Sequence, residues 1–136
     1  MKIFVCLDDN NGMMFNHRRQ SRDTKVLEDV VHTAGDMGIM MNHYSKNLFD
    51  GIECGVDLFF EDMFLDEAPE GMCCFVENEP LAPYENKIQE IIIYRWNRMY
   101  PSDMKFDINL DEWTIKETTE FPGKSHKNIT KEVYIR

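Results

Sequence analysis

Apolar residues run almost unbroken through "MKIFVCL" and stop at "DDNNG", whose Asp, Asn and Gly supply turn geometry, so the chain is expected to open on a buried strand. The next stretch, "MMFNHRRQ", has no clear period and reads as irregular. Apolar residues then recur at Val26, Leu27, Val30 and Val31, with Ser21, Asp23 or Thr24 available as an N-cap and Gly35 as a stop. This spacing predicts an amphipathic helix of about three turns. "GIMMN" follows as a second short buried strand and "YSKNLF" as a helical turn over it. Strand, helix and strand in so few residues imply a right-handed parallel crossover.

The acidic stretch from Asp50 to Gly71 predicts one more short strand or helix and then a loop ending at Pro69 and Gly71. "MCCFV" reads as a strand buried on both faces, "ENEPLAPYENK" as a loop with a short helix, and "IQEIIIYRW" as a long central strand. The tail changes character. "DEWTIKETTEF" and "KNITKEVYIR" alternate apolar and polar residues around "PGKSH", the pattern of an antiparallel hairpin joined to the sheet edge. The expected class is α/β: a mixed, mostly parallel sheet with flanking helices and a C-terminal antiparallel hairpin. No repeat, low-complexity tract or linker divides it, so residues 1–136 are read as a single domain.

Composition narrows the function classes. With 136 residues and 43% hydrophobic positions, the chain is long enough to bury one core. No apolar run approaches the ~18 residues of a membrane span, and the start lacks the basic and apolar regions of a secretory signal, which points to the cytoplasm. Cys6, Cys54, Cys73 and Cys74 show no Cys-x-x-Cys spacing, three of them sit in apolar runs, and they read as reduced, buried thiols. His17, His32, His43 and His126 are never closer than 11 positions, so no zinc motif is present and no metal is expected. A net charge of −10 disfavours nucleic acid and suits a basic protein partner. The basic residues cluster once, in "HRRQSRD", which holds three of the 15 within five positions.

Several stretches resemble dihydrofolate reductases. "KIQEIIIYRWNRMYPSDMKFDINLDEWTIKETTEF" followed by "KSHKNITKEVYIR" is similar to that family's closing region, with an acidic stretch ending in Phe, an Asp-Glu-Trp opening the next strand and a Ser-His before the last. "KIFVCLDDNNGMMFN" resembles its first strand and flexible loop, and "IMMNHYSKNLF" the strand and helix that close its first crossover. Residues 1–49 and 72–136 can be laid alongside the family, whose middle is longer. The resemblance implies a dihydrofolate-reductase-like fold. It would also imply NADPH, held by two helix N-termini and a glycine pair, because only Gly lets the main chain approach phosphate so closely.

Here the pattern breaks. The glycine pair should follow "MCCFV", where this chain has Glu77-Asn78-Glu79. A carboxylate facing a diphosphate at a few Å costs on the order of several kcal/mol. The family's Gly-Arg-His-Thr corner corresponds to Met41-Asn42-His43-Tyr44, which lacks both the glycine and the guanidinium fork. The expectation is therefore a domain that binds no NADPH and carries no cofactor. By the same resemblance Asp23 is the candidate for the substrate carboxylate; its other reading is the helix N-cap.

Arg18, Arg19 and Arg22 supply donor forks for a carboxylate or phosphate, and with Asn42 they are the candidate ligand-binding residues. The alternative is that these arginines pair with the chain's many carboxylates. Asp23, His17 and His43 are the candidate catalytic groups. The start of the chain, with "NGMMFNHRRQSRD", is also similar to small bacterial proteins labelled ribonuclease Z, but that enzyme's His-x-His-x-Asp-His cluster is absent. A metal-free ribonuclease would need His17 and His43 as acid and base near Arg18 or Lys46. "FFEDMFLDEAPE" and "ENEP" offer an acidic face such as an immunity or antitoxin protein presents to a basic toxin. The leading expectation is binding of a small anionic ligand or a protein partner, with a divergent reductase and a metal-free ribonuclease as the enzymatic alternatives.

Overall fold

The computed structural model describes residues 1–53 and 55–136. Strand β1 (Lys2–Leu7) lies at the middle of a seven-stranded sheet whose order is β5-β4-β6-β1-β7-β10-β9. Five neighbours are parallel: β5 (Leu58–Phe60), β4 (Ile39–Met41), β6 (Cys73–Phe75), β1 and β7 (Glu90–Arg95). β10 (Ile129–Ile135) runs antiparallel beside β7, and β9 (Thr114–Phe121) closes that edge as the other arm of the terminal hairpin. This is the mixed sheet the sequence predicts.

The unbroken apolar runs follow from layers on both faces. In β1, Ile3, Val5 and Leu7 enter one core while Phe4 and Cys6 face the other; in β7, Ile91 and Ile93 part in the same way from Ile92 and Tyr94. Helix α1 (Thr24–Ala34) covers the second face with Val26, Leu27, Val30, Val31 and Ala34, the stripe seen in the sequence. It is pinned to the sheet by polar contacts as well: the Tyr94 hydroxyl donates to Asp29 at 2.6 Å and Lys131 pairs with Asp29 at 2.8 Å. The first face is covered by Met13 and Met14, by Phe64 and Leu65 of a short helix α3 (Phe64–Glu67), and by Phe106, Ile108 and Trp113. Cys73 and Cys74 point to opposite cores as free thiols, and burial pushes the Cys74 thiol up to about 12. Cys54 lies outside the described residues. Among the described residues no helix is long and apolar enough to cross a membrane.

Two expectations are corrected. "MMFNHRRQ" is not irregular: β2 (Gly12–Phe15) and β3 (Arg18–Arg19) form a hairpin, joined by β8 (Met104–Lys105) in a separate small sheet of order β3-β2-β8. Its two-residue turn places both Asn16 and His17 at positive φ, 53° and 62°, the turn whose twist matches a hairpin. The strand escaped detection because Arg18 and Arg19 carry no apolar alternation. The stretch after Asp50 holds both a strand and a helix, β5 and α3, where one or the other was expected.

The two-sided burial makes a graded prediction. Phe4→Ala, at a side chain with no exposure, should cost roughly 3–5 kcal/mol, while Ile115→Ala on half-exposed β9 should stay within about 0.5 kcal/mol, both measured by urea unfolding.

Candidate functional site

Open parallel sheets present ligand sites beyond the carboxyl ends of their strands. At that end of β1 and β6 lies a cleft lined by Cys6, Arg19, Gln20, Ser21, Arg22, Asp23, Phe75, Glu77 and Trp96, among others. Its free volume, mouth included, is about 370 Å³, but only about 20 Å³ of it is wide enough for the centre of a water. That is room for about one water molecule.

Glu77 forms part of the wall. It directly follows the β6 run, and its carboxylate accepts from Arg19 Nε at 2.7 Å, from Arg19 Nη2 at 3.0 Å and from Ser45 Oγ at 2.7 Å. The Arg19 guanidinium in turn lies 4.7 Å above the Tyr44 ring, and the Tyr44 hydroxyl accepts from the Arg19 backbone N–H at 2.8 Å. One buried carboxylate thereby ties the end of β6, helix α2 (His43–Lys46) and β3 together. Two-point guanidinium pairing fixes orientation as well as distance. Asn42 caps α2, accepting from Ser45 N–H at 3.3 Å and donating to Asn78 Oδ1 at 2.7 Å.

Asp23 is the second strut. It caps α1 by accepting from Lys25 N–H, and it also accepts from the backbone N–H groups of Lys124, Ser125 and His126 and from His126 Nδ1, all at 2.8–3.1 Å. Burial alone would push this carboxyl up; these donors outweigh it and hold Asp23 below its ordinary value of 3.8. Gly123 is required beside it, because a Cβ there would stand 2.6 Å from Asp23 Oδ2 and 2.7 Å from His126 O.

The bond from Nδ1 to Asp23 assigns the imidazole hydrogen to Nδ1 and leaves Nε2 as an acceptor. Nε2 meets Ser21 Oγ at 3.0 Å and the Tyr100 hydroxyl at 3.0 Å, with 3.3 Å between the two oxygens. Trp96 stacks on the ring at 4.5 Å between centroids and 22° between planes, which holds its orientation. Tyr100 is steadied from behind by Asp8, a buried carboxylate that accepts from the backbone N–H groups of Asn10, Gly12 and Tyr100 and from Gln20 Nε2. Gln20 Oε1 is buried and has no hydrogen-bond partner among the described residues.

The candidate residues do not share one pocket. Arg19 is consumed by Glu77, and Arg22 is exposed at the cleft with no ion-pair partner among the described residues. Arg18 lines a separate shallow depression with Phe15, Asn16 and Tyr100, while His17 lines another with Met14, Asn78 and Asp103. His43 is exposed, its Nδ1 3.0 Å from Asp62. Asp23 is the N-cap, and its oxygens are engaged by protein donors. The sequence reading missed Tyr44, Ser45, Tyr100 and the His126 relay, since residues 21, 100 and 126 meet only through the fold. The Ser-His before the last strand was the one visible signal.

Asp23→Asn should destabilise the protein by roughly 1–3 kcal/mol near neutral pH, because the amide turns an NH2 group toward N–H donors that now meet a carboxylate oxygen. Because the folded-state carboxyl titrates lower than the unfolded one, the wild-type advantage is complete above the ordinary 3.8 and is lost as pH falls through the lower folded value. Unfolding free energies of both proteins from pH 7 to 3 would check this.

No protein-family model matches the sequence, and no curated protein matches it. Among solved structures it is similar to dihydrofolate reductase from Enterococcus faecalis complexed with NADP(H) and RAB-propyl, with a TM-score of 0.67, 10% sequence identity, and coverage of 99% of this chain and 95% of that one. At that identity the likeness is one of architecture: the chain has a dihydrofolate-reductase-like fold.

Proposed function

We propose that this chain is a binding domain for a small anionic ligand and does not use NADPH as a reductase does. The observation that carries the reading is the Glu77 carboxylate, held by Arg19 and Ser45 where the resembled family would expose glycine main chain to a diphosphate. A dinucleotide arriving there would have to break a two-point ion pair and then face the freed carboxylate. The ligand is taken at the mouth of the cleft. Among the described residues Arg22 there has no ion-pair partner and the buried Gln20 Oε1 has no hydrogen-bond donor, so an anion that also carries a hydroxyl or amine fits best.

A basic protein partner is the second reading, favoured by one patch. Phe59 and Met63 are exposed beside the exposed carboxylates of Glu61 and Asp62 on the outer side of β5 and its following turn. His17 and His43 have different neighbours, an arrangement that lends no support to a paired acid and base for ribonuclease chemistry.

Titration with NADPH should give no saturable fluorescence quenching, and saturable quenching would defeat the proposal. Glycolate, which has both a carboxylate and a hydroxyl, should shift the amide resonances of Ser21 and Arg22. Arg22→Ala should weaken that binding roughly 10- to 100-fold, the range for a hydrogen bond to a charged group.

A further inference from the structure

We propose that Ser21, His126 and Asp23 form an acyl-transfer centre, with Ser21 Oγ as nucleophile toward short acyl esters that carry a negative charge. The choice of an anionic substrate rests on the ligand reading above; the chemistry of the serine does not. Three observations converge on it. Asp23 Oδ2 receives His126 Nδ1–H at 2.9 Å, which fixes the tautomer, and the opposite nitrogen stands 3.0 Å from Ser21 Oγ. Trp96 holds the ring in place, so the base is oriented before any substrate arrives. Ser21 is half-buried in the cleft wall beside Arg22, within reach of the mouth.

A purely structural histidine at this position needs one partner for Nε2, whereas two hydroxyls converge on it. The Tyr100 hydroxyl donates toward Ser21 Oγ at 3.3 Å, which leaves the serine hydrogen directed to Nε2.

The steps balance as an ester hydrolysis. Ser21 Oγ bonds to the acyl carbon as its proton passes to His126 Nε2; the ester C–O bond breaks and that proton leaves on the alcohol. Water then attacks the acyl-serine, gives a proton to Nε2, and the carboxylic acid departs as Ser21 regains its hydrogen. The inner cleft has room for about one water, so the acyl group is taken at its open mouth.

The test uses the full chain with a fluorophosphonate probe and with p-nitrophenyl acetate. Wild type should gain one phosphonyl group, located on Ser21 by peptide mass spectrometry. Ser21→Ala should lose the label, and its p-nitrophenolate release should fall at least ~100-fold; His126→Gln, checked for an unchanged circular dichroism spectrum, should do the same. An unlabelled wild type, or labelling that persists in Ser21→Ala, overturns the proposal. Glycolate binding with an inert Ser21 defeats this inference alone, and a labelled Ser21 without glycolate binding defeats only the ligand reading.

Discussion

A carboxylate taken out of water must be met by donors, and in this protein three of them are buried around one cleft: Asp8, Asp23 and Glu77. Each is answered entirely from within the chain. Asp8 takes three backbone N–H groups and the Gln20 amide, Asp23 takes four backbone N–H groups and an imidazole, and Glu77 takes a guanidinium and a hydroxyl. The donors come from segments far apart in sequence. Satisfying these charges therefore fixes where the β2–β3 hairpin, helix α2 and the 123–126 turn sit relative to the sheet.

We propose that the same constraint keeps a diphosphate out of this cleft. Exposed main chain at a glycine pair leaves oriented N–H groups for a ligand's oxygens, whereas Glu77 supplies oxygens of its own and takes the donors itself. The likeness to the Enterococcus faecalis reductase is one of architecture. Fold and site are set by different residues: the fold by the alternation of Ile, Val and Phe along β1 and β7, and the site by a few polar positions just beyond them.

That division explains what was legible in the sequence. β1, β6, β7, helix α1 and the last strand β10 were readable because burial on one or both faces leaves apolar residues in a local pattern. Asp23 as N-cap was readable because capping is decided within a few residues. The β2–β3 hairpin was not, since its stability comes from a positive-φ turn at Asn16 and His17 and from partners on β8 about 90 positions away. The three arginines looked like one island because sequence proximity was all there was to judge by; neighbours on a strand point to opposite faces, and the chain turns between Arg19 and Arg22.

The His126 environment shows the limit most directly. Its imidazole meets an aspartate, a serine, a tyrosine and a tryptophan drawn from the N-cap of α1, the loop just before it and the stretch that follows β7, none of them in a motif. What brings them together is the demand of Asp23 for donors: by capping α1 and gathering the 124–126 amides, it seats the histidine with one nitrogen committed and the other turned to the two hydroxyls. A group that serves stability thereby sets a tautomer, and the tautomer decides what the neighbouring serine is able to do. Capping alone would have been met by Lys25 N–H. The additional donors from the 124–126 turn turn a helix cap into a preorganised base.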